Sequence, residues 1–146
     1  MTTLSEGPPA SLLAAATVTI GGEDALLQVR STVRAYARHA GLDLTATTKV
    51  VTAGSELTRN ILRHSTAGQG AASIEEVVSG PRTGVRAVFT DRGPGIADLD
   101  QAMRNGFSTA GSLGLGLPGS RRLVDEFSID SAPGLGTRVV ICQWNR

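Results

Sequence analysis

Apolar and polar residues recur along this chain with the two periods that distinguish strands from helices. The alternating run ATVTI predicts a strand over 16–20, which a glycine pair ends. From Glu23 to Gly41 the apolar residues return at the spacing of one helix face. Arginines lie off that apolar face, at Arg30, Arg34 and Arg38. The pattern therefore predicts a strand followed by an amphipathic helix.

A second helix is predicted from the threonines at 45–48, one of which would cap it, to about His64. Glu56 and Asn60 border its apolar stripe. They are four residues apart in the sequence, so they lie one above the other on the helix. Polar side chains in that position are expected at the edge of a cleft.

The rest of the pattern predicts four strands in two hairpins, together with further helix. The strands are expected over 71–80, 84–91, 127–132 and 136–144, around the turns GPRTG and APGLG. A short helical piece is expected at 97–106, and a third helix from Pro118 to Glu126. Strands paired mostly by hairpins, with helices elsewhere in the sequence, predict an α+β two-layer sandwich.

Composition fits one soluble domain and excludes several classes of function. The 146 residues are 40% hydrophobic and 18% charged, and the net charge of +1 gives no argument for nucleic acid or membrane partners. The single cysteine, Cys142, cannot form a disulfide within the chain, and with two histidines it cannot make an ordinary zinc site. The longest apolar N-terminal run is too short to cross a bilayer, so a cytoplasmic protein is expected. Residues 1–14 are expected to form a flexible tail before a single domain over 15–146.

The stretch from Asp91 to Gly119 carries the candidate chemistry. It is too rich in glycine for a core strand or helix. Glycine-rich backbone that leads into a helix offers a phosphate free amide N–H groups and the positive end of the helix dipole. No Lys-Ser/Thr pair follows the glycines and no first strand of a βαβ unit precedes them, so neither a Walker A loop nor a Rossmann fingerprint is indicated. The remaining functional interpretation of the stretch is a lid hinged on glycine residues. The alternative is an ordinary mobile surface loop.

Two further motifs supply what such a lid lacks. The amide oxygen of Asn60 can bind Mg²⁺, and the Glu56 carboxylate one turn earlier can accept a proton, although such pairs are usually an ordinary helix surface. Asp91 can accept a hydrogen bond from the amino group of a base, and Gly95 would let a flat ring approach, although strand-to-turn junctions favour these residues anyway. The chain thus offers a metal ligand, a proton acceptor, a carboxylate that can bind a nucleotide base and a lid for phosphates. This combination indicates Mg·ATP.

These motifs resemble those of the Bergerat-fold (GHKL) ATPase and kinase superfamily, which includes gyrase, the histidine kinases and MutL. The segment 56–60, ELTRN, resembles its N box, and 91–96, DRGPGI, its first glycine box. The segment 111–117, GSLGLGL, resembles its second glycine box, and 136–139, GTRV, its Gly-Thr motif. Within the superfamily the chain is most similar to the stand-alone anti-sigma-factor serine/threonine kinases of the RsbT type. It leaves no room for the phospho-accepting hairpin that precedes this domain in histidine kinases.

The resemblance implies a HATPase-like fold, in which helices cover one face of a mixed, mostly antiparallel sheet, and a role for each matching residue. Glu56 would be the general base and Asn60 would hold Mg²⁺ beside the ATP phosphates. Asp91 would bind the adenine amino group. The remaining ATP contacts would come from Gly93, Gly95, Ile96, Gly111, Leu113, Gly114, Leu115, Gly116 and Thr137. Arg59 and Arg63 could touch phosphate or a partner, with solvated side chains as the preferred interpretation.

The function implied by the resemblance is transfer of the ATP γ-phosphate to a STAS-domain anti-sigma antagonist, in a bacterial stress or sigma-factor partner switch. Phosphorylation adds about two negative charges, which would release the kinase to bind a sigma factor or a PP2C-type phosphatase. One alternative is a partner-switch module that holds nucleotide with little or no turnover. Another is simple ATP hydrolysis by a piece of a larger machine. A homodimer is left open.

Overall fold

The computed structural model describes residues 2–3, 11–65, 69–96, 103 and 116–146. Within these residues, three helices pack against one six-stranded sheet. In chain order the elements are β1 (Thr2–Thr3), β2 (Ser11–Ile20), α1 (Asp24–His39), α2 (Leu44–His64), β3 (Gly70–Ser79), β4 (Arg82–Asp91), α3 (Gly116–Leu123), β5 (Glu126–Ser131) and β6 (Thr137–Trp144). The short helix predicted at 97–106 lies outside the described residues, apart from Met103.

The sheet has the strand order β1-β5-β6-β4-β3-β2, and each of its described pairings is antiparallel. The predicted α+β two-layer sandwich is confirmed, with an antiparallel rather than a mixed sheet. Because β4 and β6 are neighbours, Asp91 at the end of β4 pairs with Thr137 at the start of β6. Thr137 in turn pairs with Ser131 at the end of β5. These three residues therefore form one row across an end of the sheet.

Two strand predictions were too short. β2 begins at Ser11, inside the segment assigned to the tail, and the alanine-rich run before Thr17 hides its alternation. In the first hairpin Ser79 pairs with Arg82, so the turn is only Gly80 and Pro81 rather than the whole of GPRTG. Gly80 has a φ of 58°, and glycine at the first central position is what a type II′ turn requires.

The helices agree with the predicted order and differ at their ends. The cap of α2 is Asp43 rather than a threonine, since the Asp43 carboxylate accepts a hydrogen bond from the Ala46 N–H at 2.8 Å. Helix α3 has Pro118 in its first turn, as predicted, but ends at Leu123 because the next strand begins at Glu126. No described helix is both long and apolar enough to cross a membrane.

One main core lies between the helices and the sheet, and it consists largely of Val, Ile, Leu and Ala. Phe89 is its largest fully buried side chain, and a Cβ added at Gly54 of α2 would lie 3.6 Å from the Phe89 ring. Glycine at this position brings α2 close to the centre of the sheet. On the other face of the sheet Val77, Cys142 and Trp144 form a smaller buried cluster. The Arg82 guanidinium covers this cluster, 4.5 Å from the centre of the Trp144 ring.

Burial raises the pKa of the Cys142 thiol to about 12 from an ordinary value of 9.0, and the carboxylate of Glu126 adds to this effect. The thiolate is the reactive form. We therefore expect Cys142 to react with Ellman's reagent at pH 8 far more slowly in the folded protein than in urea. The folded state holds this proton more tightly than the unfolded state, so the stability contributed by the buried thiol is lost as the pH rises from 9.0 towards about 12. Equal thiol reaction rates with and without urea would contradict the buried position.

Candidate functional site

The second half of α2 carries the predicted base and metal ligand. Glu56 is buried, with 8% exposure, and Asn60 one turn later is half-buried. Leu57 and Ile61 on the same helix point into the core, so Glu56 and Asn60 lie at its border. The Asn60 side chain makes no hydrogen bond to the residues that the structure describes. An amide oxygen is therefore available at this border.

The Glu56 carboxylate has a partner that the sequence analysis did not assign. Arg59 Nη1 donates to Glu56 Oε1 at 2.7 Å, and the two side chains are 34% and 10% exposed. The preferred interpretation of Arg59 as a solvated side chain was wrong. The three-residue spacing, which places side chains side by side on a helix, was the signal that could have found this pair.

Asp91 and Gly93 lie against the C-terminal end of α2. Asp91 Oδ1 accepts a hydrogen bond from the Gly93 N–H at 2.8 Å, which fixes the start of the loop. A Cβ on Gly93 would lie 2.9 Å from the Ser65 Cα and 3.2 Å from the His64 carbonyl oxygen. Only glycine fits between the loop and the end of the helix. This close approach brings Asp91 beside the helix that carries Glu56 and Asn60.

The loop after β4 is also packed on the turn between β5 and β6. Gly95 has a φ of 79°, and the Ala132 carbonyl occupies the place of its missing Cβ. The Gly134 N–H donates to the Pro94 carbonyl at 2.7 Å. The Asp91 carbonyl likewise occupies the place where a Cβ would stand on Gly136. The structure thus gives Gly95 a role in loop packing, beside its predicted place next to the adenine ring.

Ser131 connects these two loops and was not singled out from the sequence. It is 2% exposed, and its Oγ accepts a hydrogen bond from the Ile96 N–H at 2.8 Å. The same hydroxyl donates to the Gly136 carbonyl at 3.0 Å and lies 2.9 Å from Thr137 Oγ1. Since a serine has a single hydroxyl proton, Thr137 must be the donor in the last contact. The available signal was a serine in line with the buried positions of β5, after Phe127 and Ile129.

Helix α3 places Gly116, the last residue of the predicted lid, beside α2. Gly116 has a φ of 45°, and its carbonyl accepts a hydrogen bond from Ser120 Oγ at 2.9 Å. The predicted lid residues Gly111, Leu113, Gly114 and Leu115 lie outside the described residues, so their contacts with phosphate stay predictions. The described part of the site therefore consists of the α2 border, the loop after β4, the turn before β6 and the start of α3.

A model of the histidine kinase-like ATPase domain matches residues 23–143. The chain belongs to this family. The resemblance inferred from the motifs is thereby confirmed, and membership of the histidine kinase-like ATPase family implies ATP binding. The matched range contains Glu56, Asn60, Asp91 and Thr137.

Curated relatives of the chain fall into two groups. It is 40% identical over 121 residues to the serine/threonine-protein kinase RsbT of Bacillus subtilis (strain 168). The matched region covers 83% of this chain and 90% of that protein. It is 29% identical over 114 residues to the anti-sigma F factor of Thermoanaerobacter sp. (strain X514), which covers 75% of this chain and 78% of that protein. The anti-sigma F factor of Bacillus licheniformis is also 29% identical, over 113 residues, with coverage of 75% and 77%.

Replacing Ser131 by alanine should weaken the junction of the two loops. The Ile96 N–H and Thr137 hydroxyl would lose an acceptor and the Gly136 carbonyl a donor, so we expect the free energy of unfolding to fall by about 1–3 kcal/mol. Urea denaturation measures this change. Ser128→Ala, on the outward face of the same strand, is the matched control and should change stability by no more than about 0.5 kcal/mol. Equal effects of the two substitutions would show that Ser131 does not connect the loops.

Proposed function

We propose that this chain is a serine/threonine protein kinase that transfers the γ-phosphate of Mg·ATP to a hydroxyl of a STAS-domain anti-sigma antagonist. The observation that carries the proposal is the contact between the Asp91 loop and the end of α2, where Gly93 approaches Ser65. This contact puts a carboxylate suited to adenine beside the helix that bears Glu56 and Asn60. The serine/threonine kinase among the relatives supports the choice of reaction.

Adenine would bind at the end of the sheet formed by β4, β5 and β6. One oxygen of Asp91 is engaged by the Gly93 N–H, and the other makes no hydrogen bond to a described residue. That second oxygen would accept a hydrogen bond from the adenine amino group. Thr137 pairs with Asp91 across the strands and would lie on the same side of the base. Gly93 and Ile96 would complete the walls of this pocket.

The described side chains fit Mg²⁺ if the bound nucleotide supplies part of its ligands. The described residues contain no group of three or more His, Cys, Asp or Glu side chains able to hold a metal ion. Mg²⁺ commonly takes one or two protein ligands and completes its shell with phosphate oxygens and waters. Asn60 would be such a ligand, because none of the described residues engages its amide oxygen. When bound, the cation would neutralise charge that develops on the phosphates.

Phosphate transfer requires a proton acceptor beside the incoming hydroxyl, and Glu56 would serve. The serine or threonine oxygen of the substrate forms a bond to the γ-phosphorus while the bond from that phosphorus to the β–γ bridging oxygen breaks. The hydroxyl proton passes to the Glu56 carboxylate, and ADP leaves. Glu56 is buried at the core border, so its position is fixed before the substrate arrives.

The charge that phosphate transfer adds to the antagonist would free the kinase for a second partner. A phosphate of about two negative charges on the antagonist would weaken its interface with the kinase. The released kinase would then bind a sigma factor or a PP2C-type phosphatase. The anti-sigma F factors among the relatives support the first choice. The RsbT kinase among the relatives supports the second, because the resemblance to RsbT-type kinases implies a phosphatase partner. A module that holds nucleotide without turnover is the alternative function, and the presence of both Glu56 and Asn60 argues against it.

Transfer of radiolabelled γ-phosphate to a STAS-domain protein encoded beside this chain tests the proposal. We expect Glu56→Gln to lower the transfer rate by about 100-fold or more, because general-base catalysis contributes at least that much. Its affinity for Mg·ATP should stay close to that of the wild type. Glu23→Gln is the control, since Glu23 is exposed at the start of α1.

Three results would count against the proposal. Equal transfer by Glu56→Gln and the wild type would refute the base assignment. Release of phosphate to water with no labelled protein would indicate an ATPase. Nucleotide binding without label release or transfer would indicate the partner-switch module.

A further inference from the structure

A basic groove of about 620 Å³ runs between α1 and α2. Its lining has Arg30, Arg34 and Arg38 on the α1 side, and α2 contributes Arg59. Threonine and serine side chains of α2 complete the floor, and no acidic side chain is among the described residues that line it. The whole chain has a net charge of only +1. Four arginines in one groove are therefore a local concentration of positive charge.

The arginines of α1 form a row along the helix. They are four residues apart, which places successive side chains about 6 Å apart and gives the row a length of about 12 Å. Arg30 is fixed in place, because its Nε donates to Ser55 Oγ at 2.8 Å. Arg34 and Arg38 are exposed. A row of this length, with one end fixed at Arg30, matches an elongated anion better than a single small one.

Apolar side chains at one end of the groove favour a protein as its occupant. Leu44 is 83% exposed and offers an apolar side chain to a partner, while the largely buried Leu42 and Val51 line the groove with it. A small anion such as phosphate would contact one or two arginines and would gain nothing from these side chains. A protein segment with several carboxylates and an apolar side chain would match both parts of the groove.

Arg59 belongs both to the groove and to the predicted catalytic pair. It lines the groove, and its Nη1 holds Glu56 Oε1 at 2.7 Å. Its side chain is 34% exposed, so the carboxylate of a docked partner can reach it from solvent. The Glu56 carboxylate is only 10% exposed, so leaving it unpaired costs free energy, which the new ion pair between Arg59 and a docked carboxylate must offset.

We propose that the groove docks an acidic segment of the protein substrate and that docking transfers Arg59 from Glu56 to a carboxylate of that segment. The Glu56 carboxylate is then unpaired and ready to accept a proton when the substrate is in place. This consequence for catalysis, and the identity of the docked protein as the substrate, rest on the function proposed above, whereas the binding of an acidic segment and the exchange of partners do not. Arg59 is a positioning residue in this scheme, since it acts through Glu56.

Docking is tested without nucleotide, by fluorescence anisotropy of a fluorescein-labelled oligoglutamate peptide at physiological ionic strength. At that salt concentration charges more than about 8 Å apart are largely screened, so the groove is separated from the rest of the surface. We expect the full-length protein to bind the peptide and Arg34→Glu to weaken binding about tenfold. Lys49→Glu makes the same change of charge on exposed α2 surface outside the groove and should weaken it less than about twofold.

Absence of binding, or equal weakening by the two reversals, would overturn the docking site. Displacement of the peptide by inorganic phosphate, with ionic strength held constant, would assign the groove to a small anion and would also overturn it. Because no nucleotide is present, these results are independent of whether the protein is a kinase.

The exchange of partners is tested on the Nε–H signal of Arg59 in protein labelled with ¹⁵N-arginine. Arg59→Gln assigns the signal, and Glu56→Gln gives its position when the Glu56 carboxylate is absent. We expect the oligoglutamate peptide to shift the Arg59 signal of the wild-type protein. With peptide bound, the Arg59 signals of the wild type and of Glu56→Gln should lie at nearly the same position, because Arg59 pairs with the peptide in both. A peptide that binds, moves the Arg34 signal and leaves the Arg59 signal unchanged would overturn the exchange.

Discussion

The close approach of Gly93 to the end of α2 is the contact on which the rest of the site depends. Any side chain at this position would collide with Ser65 or with the His64 carbonyl. With glycine there, the loop after β4 lies directly on the helix, and Asp91 turns back to accept the Gly93 N–H. A carboxylate at the end of a strand is thereby held against the end of the helix that carries Glu56 and Asn60, and we propose that the nucleotide occupies the space between them. The proposed nucleotide site depends on this single constraint.

The other side of that space is fixed by the sheet. Asp91, Thr137 and Ser131 form one row across three antiparallel strands, so their relative positions are set by backbone hydrogen bonds. Ser131 then ties the loop after β4 to the turn before β6 through its buried hydroxyl. Binding groups held in this way lose little conformational entropy when a ligand arrives. In the proposed site, Asp91 and Thr137 of this row would bind the base and the predicted glycine lid would meet the phosphates.

The border position of Glu56 connects the site to the outer surface of the helices. On α2 the core side chains, the Asn60 and Glu56 pair and the groove-lining Arg59 follow one another around the helix. A partner on the outer surface therefore lies one side chain away from the proposed base.

Periodicity and turn residues were sufficient to predict the two-layer architecture and most of the elements. They missed the first half of β2, because a run of alanines next to Thr17 shows no alternation. They also placed the cap of α2 on a threonine, although Asp43 stood just before it. Ser131 was missed because its role depends on which two loops meet in space, and one sequence does not reveal such a contact. The Glu56–Arg59 pair was missed although its three-residue spacing on a helix indicated it. The motifs of the glycine boxes and the N box were recognisable because each matches a family pattern over several residues.

Calorimetric titration with Mg·ATP is the most direct test of the nucleotide site. We expect heat of binding for the wild-type protein. Asp91→Asn should lower the affinity for Mg·ATP about tenfold to a hundredfold, because the hydrogen bond from the adenine amino group to a charged carboxylate is lost. Asp24→Asn, in the first turn of α1, should bind as the wild type does. The account would be contradicted by a wild-type protein that shows no binding, or by Asp91→Asn binding Mg·ATP as tightly as the wild type.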